Sequence, residues 1–296
     1  MTGLKVCIGT AQLGMKYGIS NNSSKMKIKD FNKIIKYSEE NNINFIDTAN
    51  SYGNSEELIG KSLKKLKCGT NFKVISKFNN LRNIPKNKIR EKVFYQVTTS
   101  IKKLGTQKLY AALLHNVKDL ESKKKKEIYK VFLDLKKKGL VKKIGFSAYE
   151  VKDLKKYLTK YNFDIVQFPF SIFDQRILDN KIQDLLKKKK IEVHVRSIFL
   201  QGLLLLSIKK IPKSLDLEGN LKRWNNYLIK NKIDNIDACI KFVLKYNFYK
   251  KIVIGFNNFK QFKHVINRLK ILKKNKMEIN FKDFENKSKL INPSKW

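Results

Sequence analysis

An aspartate and a tyrosine five residues apart, Asp47 and Tyr52, followed downstream by Lys77 and His115, are the side chains in this sequence best suited to proton chemistry. A tyrosine with its ordinary pKa of about 10 is a poor acid at neutral pH, and a neighbouring cation favours its phenolate. Lys77 offers such a cation, and Asp47 would hold and charge-pair the lysine. His115 would hydrogen-bond a substrate oxygen or assist proton movement. Each residue also has a plainer use: Asp47 as a turn cap under Tyr52, Asp47 and Lys77 as a bare ion pair, His115 as a satisfied core histidine. No metal-ligand spacing and no nucleophile elbow competes with the set.

The surrounding pattern says which elements must position these groups. Asp47 ends an apolar run through Ile43, Phe45 and Ile46. The small-residue turn Thr48 to Ser51 then leads past Tyr52 and Gly53 to a helix for which Ser55 is the expected cap, with Glu56 and Glu57 in its first turn. Lys77 closes the strand pattern from Phe72, and His115 closes the one from Tyr110. The same unit recurs: Lys143 to Phe146 runs into Ser147, Ile165 to Phe168 contains Gln167, Ile191 to Val195 runs into Arg196, and Lys251 to Ile254 is the last strand. Eight strand-then-helix units, with no Gly-x-Gly-x-x-Gly after the first strand, predict a single-domain (β/α)8 TIM barrel over 1–296. An insertion after strand seven, Ser197 to Lys232, and a tail from Lys273 to Trp296 lie outside the repeat. The end of the tail, INPSKW, is free to fold back over the mouth. In such a barrel the strands' carboxyl ends carry the site, and here strand after strand ends in a polar side chain. Gln167 has a plainer reading as a hydrogen-bonded barrel filler, and Arg196 as a rim salt bridge to Glu192 or Asp174.

Composition narrows the classes of partner. A formal charge of +40 invites nucleic acid or an anionic surface, but only six of the 65 basic residues are arginine and the lysines are spread along the chain. Specific nucleic-acid binding is therefore not expected, and any binding should be weak, sequence-independent and lost with salt. No apolar run approaches membrane-spanning length, and the amino terminus shows no secretory pattern. Three scattered cysteines argue against a disulfide framework or a zinc site and fit a reducing cytoplasm. Cys7, His194 and His264 read as structural. Tyr17, Phe78, Phe170, Phe199 and Trp224 divide between pocket lining and core, with at least half assigned to core.

Seven segments, FIDTANSYGNSEELIG at 45–60, VISKF at 74–78, ALLHN at 112–116, KIGFSAY at 143–149, VQFPFS at 166–171, RSIFLQGLLL from Arg196 and VIGFNN at 253–258, together resemble the aldo/keto reductase family. The resemblance implies that Asp47, Tyr52, Lys77 and His115 are catalytic, in NAD(P)H-dependent reduction of an aldehyde, ketone or sugar-like carbonyl with Tyr52 as proton donor. It implies that Ser147 and Gln167 hold the nicotinamide carboxamide, that Arg196, Ser197, Gln201 and Gly202 belong to the segment around the pyrophosphate, and that Gly255, Asn257 and Gln261 meet the adenosine end. NADP(H) is the family's usual cofactor, with NAD(H) the alternative; no arginine for a 2′-phosphate is evident in the last loop, although Lys260 and Lys263 are near. Two positions depart from the family pattern. Ala148 stands where many members have Asn, and Arg196 stands where many stack an aromatic ring, though its planar guanidinium can stack too. A regulatory nucleotide-binding barrel with little turnover, and a basic surface binder, are the alternatives from other classes.

Overall fold

The computed structural model describes residues 4–19, 25–212, 215, 219–274, 281–285, 291–292 and 296. Eight strands pair in parallel in sequence order: β1 (Val6–Gly9), β2 (Phe45–Asp47), β3 (Lys73–Phe78), β4 (Leu109–Leu114), β5 (Val141–Ser147), β6 (Ile165–Pro169), β7 (Glu192–Arg196) and β8 (Lys251–Gly255). β8 returns to β1 with Gly255 opposite Gly9, which closes the (β/α)8 barrel. The connections carry α1 (Ala11–Gly14), α2 (Ile28–Glu40), α3 (Ser55–Lys65), α4 (Ile89–Leu104), α5 (Lys125–Lys137), α6 (Val151–Lys160), α7 (Asn180–Lys188), α8 (Asn220–Lys230) and α9 (Asn235–Leu244), and α10 (Phe259–Lys274) follows β8. Helix α8 lies in the expected insertion.

The two-residue period of a strand sorts side chains between two apolar layers. Val6, Ile8, Val74, Ala112, Leu114 and Val166 face the helices in the large cluster, while Cys7, Phe45, Ile75, Ala111, Leu113 and Ile165 form a separate cluster inside the barrel. The inner cluster is sealed at the strands' amino ends by polar groups. Glu192 accepts hydrogen bonds from Tyr110 Oη (2.9 Å), Lys143 Nζ (2.6 Å) and His194 Nε2 (2.8 Å). Lys251 and Lys73 place their ammonium groups 4.4 and 5.3 Å from the Phe45 ring centroid. His194 is thus structural, as expected, and its partner is Glu192.

Helix ends follow local chemistry. Asp234 accepts from the Ile236 and Asp237 N–H groups at the start of α9, and Gly105 at φ +63° ends α4. Ser55 is a correction: it is the first residue of α3 and makes no cap. Its hydroxyl is turned inward, donating to the Thr10 carbonyl (3.1 Å) and accepting from Thr48 Oγ1 (3.2 Å), because the first turn of α3 packs against the end of β1 instead of facing water. The described part of the tail packs on the same side as α8. The Phe281 carbonyl accepts from Gln175 Nε2 (2.9 Å), and the Phe284 ring meets Trp224 edge-on at 5.1 Å. Of INPSKW, Ile291 and Asn292 are buried, and positions 293–295 lie outside the described residues.

Burial alone would raise the Glu192 carboxyl, but His194 and Lys143 bring it down from 4.5 to about 2. A carboxylate depressed in the folded state contributes stability above its unfolded pKa and loses it as pH falls from about 4.5 towards 2. Glu192→Gln should therefore cost about 2 kcal/mol near neutral pH in denaturant unfolding. That cost should shrink when the titration is repeated near pH 3.

Candidate active site

The inward rows of five strands continue past the inner layer into polar residues. Asp47 is two positions beyond Phe45, Lys77 two beyond Ile75, His115 two beyond Leu113, Gln167 two beyond Ile165 and Arg196 two beyond His194. All therefore emerge at the carboxyl mouth of the barrel, together with Ser147 at the end of β5. They line a cavity of about 690 Å³ whose wall also includes Tyr52, Ser197, Gln201, Gly202, Gly255, Asn257 and Gln261. The residues named in the sequence as catalytic or cofactor-binding thus all line one cavity.

At the base lies a buried ion pair. Lys77 Nζ donates to Asp47 Oδ2 (2.5 Å) and to the Thr48 carbonyl (2.8 Å), and Gln167 Nε2 donates to the other carboxylate oxygen, Oδ1 (2.5 Å). Both oxygens of Asp47 are engaged, so the charge of each partner is matched without water. The Lys77 ammonium lies 5.1 Å from the centroid of the Tyr52 ring. The Tyr52 ring in turn meets His115 edge-on at 5.6 Å.

Two ionisations differ from their values in water. Burial first, and the Asp47 carboxylate second, hold the Tyr52 phenol well above the ordinary range, with Arg196 pulling the other way. The sequence expectation that Lys77 draws Tyr52 towards phenolate is thus not met. Lys77 is neutralised by its own carboxylate, and Tyr52 rests as a protonated phenol. Burial, reinforced by Lys77 and Arg196, lowers His115 from 6.5 to about 3. The imidazole is neutral, with Nδ1 3.2 Å from Ser51 Oγ. If Ser51 donates, Nε2 carries the remaining proton.

Arg196 makes no ion pair among the described residues. Asp174 is taken by Arg176 (2.8 Å) and Glu192 by Lys143 and His194, which removes the rim salt bridge. Its Nη2 donates to the Ala148 carbonyl (3.1 Å) and its Nη1 to Ser197 Oγ (3.3 Å), while Nε is buried and unpartnered. The guanidinium stacks 4.0 Å from the Tyr149 ring centroid.

The site also uses residues that the strand pattern did not flag. Thr10 and Gln12 follow β1 at the same mouth, and the Thr10 N–H and hydroxyl both donate to the Asp47 carbonyl (3.1 and 2.9 Å). Their signal was positional, since they succeed a barrel strand. Ser51, Tyr149 and His264 also line the cavity. Of the aromatic candidates, Tyr17 and Phe199 line it, while Phe78, Phe170 and Trp224 are wholly in the core.

Tyr52 is placed by backbone contact. A Cβ on Gly14 would lie 1.7 Å from the Tyr52 carbonyl oxygen, and Gly53, at φ +54°, follows directly. After β7 the chain passes through positive φ at Ser197, Leu200, Gln201 and Gly202, a concentration of left-handed backbone against the cavity.

Residues 5–283 match the model of the aldo/keto reductase family. This chain belongs to the aldo/keto reductase family. It is an oxidoreductase by that membership, and the family generally uses nicotinamide cofactors. Among solved structures it is similar to the holo form of an aldo-keto reductase from Bacillus halodurans, with 20% identity, TM-score 0.70, and 95% of this chain and 90% of that one covered. It is also similar to a protein of Pseudomonas aeruginosa described as an aldo-keto reductase, with 18% identity, TM-score 0.65 and 91% of each chain covered. At these identities the two structures speak for the shared barrel fold.

Two measurements test this geometry. Gly14→Ala should lower stability by about 1–3 kcal/mol through overpacking, read from its denaturation midpoint, because the methyl group meets backbone that cannot rotate away. His115, neutral when folded, must gain a proton on unfolding below about pH 6.5, so its contribution makes stability fall as pH drops from 6.5 towards about 3. His115→Gln should flatten that part of the stability–pH curve, and an unchanged slope would contradict the assignment.

Proposed function

We propose that the chain is a nicotinamide-dinucleotide-dependent carbonyl reductase in which Tyr52 is the proton donor and Asp47, Lys77 and His115 complete the catalytic set. The observation that carries this reading is a protonated, half-buried phenol lying over the Lys77–Asp47 pair, beside a neutral imidazole, at the mouth of a barrel.

The residues fit a carboxamide-bearing cofactor. Gln167 spends its N–H on Asp47 and leaves Oε1 buried without a donor, and Ser147 lines the same wall. A primary amide can satisfy that orphaned acceptor, and leaving it unmet has a desolvation cost. When bound, the reduced nicotinamide supplies the hydride for the carbonyl carbon. Ser147 and Gln167 orient the ring, and the Ser197–Gly202 and Gly255–Gln261 segments bind the rest of the dinucleotide, with NADP(H) the family's usual form.

The chain's own groups handle the proton. A carbonyl oxygen at the Tyr52 hydroxyl accepts its hydrogen bond and a second one from the imidazole N–H of His115. As negative charge develops on that oxygen, the proton leaves Tyr52 for it, since an alkoxide is more basic than a phenolate. The phenolate left behind lies over the Lys77 ammonium, which Asp47 holds in place, and in the field of Arg196, the cation that favours it against burial and Asp47. Solvent then returns the proton to Tyr52. The elevated pKa of Tyr52 suits this role, because the donor must hold its proton until the oxygen becomes strongly basic.

Tyr52→Phe should lower turnover on an aldehyde panel by about a hundred-fold or more while leaving NADPH and NADH dissociation constants, read by fluorescence, nearly unchanged. Lys77→Met should also cut turnover, since it leaves the buried Asp47 carboxylate unpaired beside Tyr52. Wild-type turnover in Tyr52→Phe would sink the assignment.

A further inference from the structure

Among the described residues, one guanidinium in the cavity wall has no carboxylate partner. The wall's single carboxylate, Asp47, is consumed by Lys77 and Gln167, and His115 is neutral. Lys77 and Arg196 are the only lysine and arginine in the wall among the described residues, and Arg196 alone lacks a carboxylate. A half-buried guanidinium with an unpartnered Nε incurs a desolvation cost that its contacts with Ala148 and Ser197 only partly offset. Among the described residues it makes no ion pair, and its partners are the Ala148 carbonyl, the Ser197 hydroxyl and the Tyr149 side chain. Such a charge is completed by an anionic ligand.

The direction in which it leans indicates which part of the ligand. Arg196 is the last residue of β7, and its side chain reaches back across the mouth to the Ala148 carbonyl, just after β5, and stacks on Tyr149. That is away from β8 and from the Gly255–Gln261 segment assigned to the adenosine end. Arg196 is also the cation whose field acts on both Tyr52 and His115. The charge therefore sits at the reacting end of the cavity.

We propose that Arg196 selects carbonyl substrates that carry a carboxylate, pairing with that group while the carbonyl lies at Tyr52. This inference rests on the carbonyl-reductase reading and extends it to a substrate class, the oxo-acids and aldehyde acids. Tyr149, stacked under the guanidinium, would act as a positioning residue by holding its plane. The chemistry balances as in any carbonyl reduction: two electrons arrive with the hydride from the reduced nicotinamide, Tyr52 gives the proton, and the carboxylate is unchanged.

The test is a ratio between matched aldehydes, 4-carboxybenzaldehyde and its methyl ester, which differ in charge at the far end. Wild type should favour the acid in kcat/KM by about ten-fold or more, the size of one charge-assisted hydrogen bond. In Arg196→Gln the ratio should collapse towards one, whatever the absolute rates, and Arg196→Lys should retain part of it. The preference should also weaken with salt. A wild-type ratio near one, or a ratio unchanged in Arg196→Gln, overturns the proposal; if Arg196→Gln instead weakens dinucleotide binding with the ratio intact, the guanidinium belongs to the cofactor. Failure of the underlying reading looks different, because wild type then reduces neither aldehyde. Calorimetry with 4-carboxybenzyl alcohol and its methyl ester then decides separately: binding of the acid alone, lost in Arg196→Gln, supports the charge pairing, and absence of such binding overturns it.

Discussion

The site depends on a single saturated carboxylate. Asp47 ends a three-residue strand, receives Lys77 on one oxygen and Gln167 on the other, and gives its carbonyl to Thr10. Those contacts join the ends of β1, β2, β3 and β6 at one point. A buried ion pair of this kind is weak evidence of net stability, because both charges were taken out of water. Its value is positional: it fixes an ammonium under the Tyr52 ring and fixes the orientation of the Gln167 amide.

Much of this was legible in the sequence because strand periodicity is rigid. An inward apolar residue followed two positions later by a polar one identifies a side chain at the mouth, and that rule covers Asp47, Lys77, His115 and Gln167. The repeat of strand and helix gave the barrel, and seven separated segments carried the family resemblance. What escaped notice had no periodic signal. The inward turn of Ser55 follows from where α3 docks, and the pairing of Ser51 with His115 follows from a loop fold. The sign of the Tyr52 shift differs from the sequence expectation because a linear sequence shows which charges are near but not how far each is neutralised or how much of the phenol is desolvated.

Global and local charge are nearly independent in this protein. The chain carries +40 overall, yet among the described residues the lysines, arginines and carboxylates of its cavity wall are one matched pair and one arginine without a carboxylate. Surface lysines are screened within about 10 Å at ordinary ionic strength, whereas a group inside the mouth sees its neighbours through a lower dielectric. One arginine in the wall therefore outweighs dozens of lysines on the helices in deciding what the cavity will accept.

The contact between Gly14 and the Tyr52 carbonyl ties two distant stretches of sequence into one unit of inheritance. Position 14 admits no side chain while the loop bearing Tyr52 runs where it does, and that loop cannot be rerouted while α1 occupies its present place. Transplanting either segment alone into a related barrel would bring together surfaces that never evolved against each other. In a chimera or a directed-evolution library, residues 10–15 and 48–55 should therefore be exchanged as one cassette, although some thirty residues and a whole helix separate them along the chain.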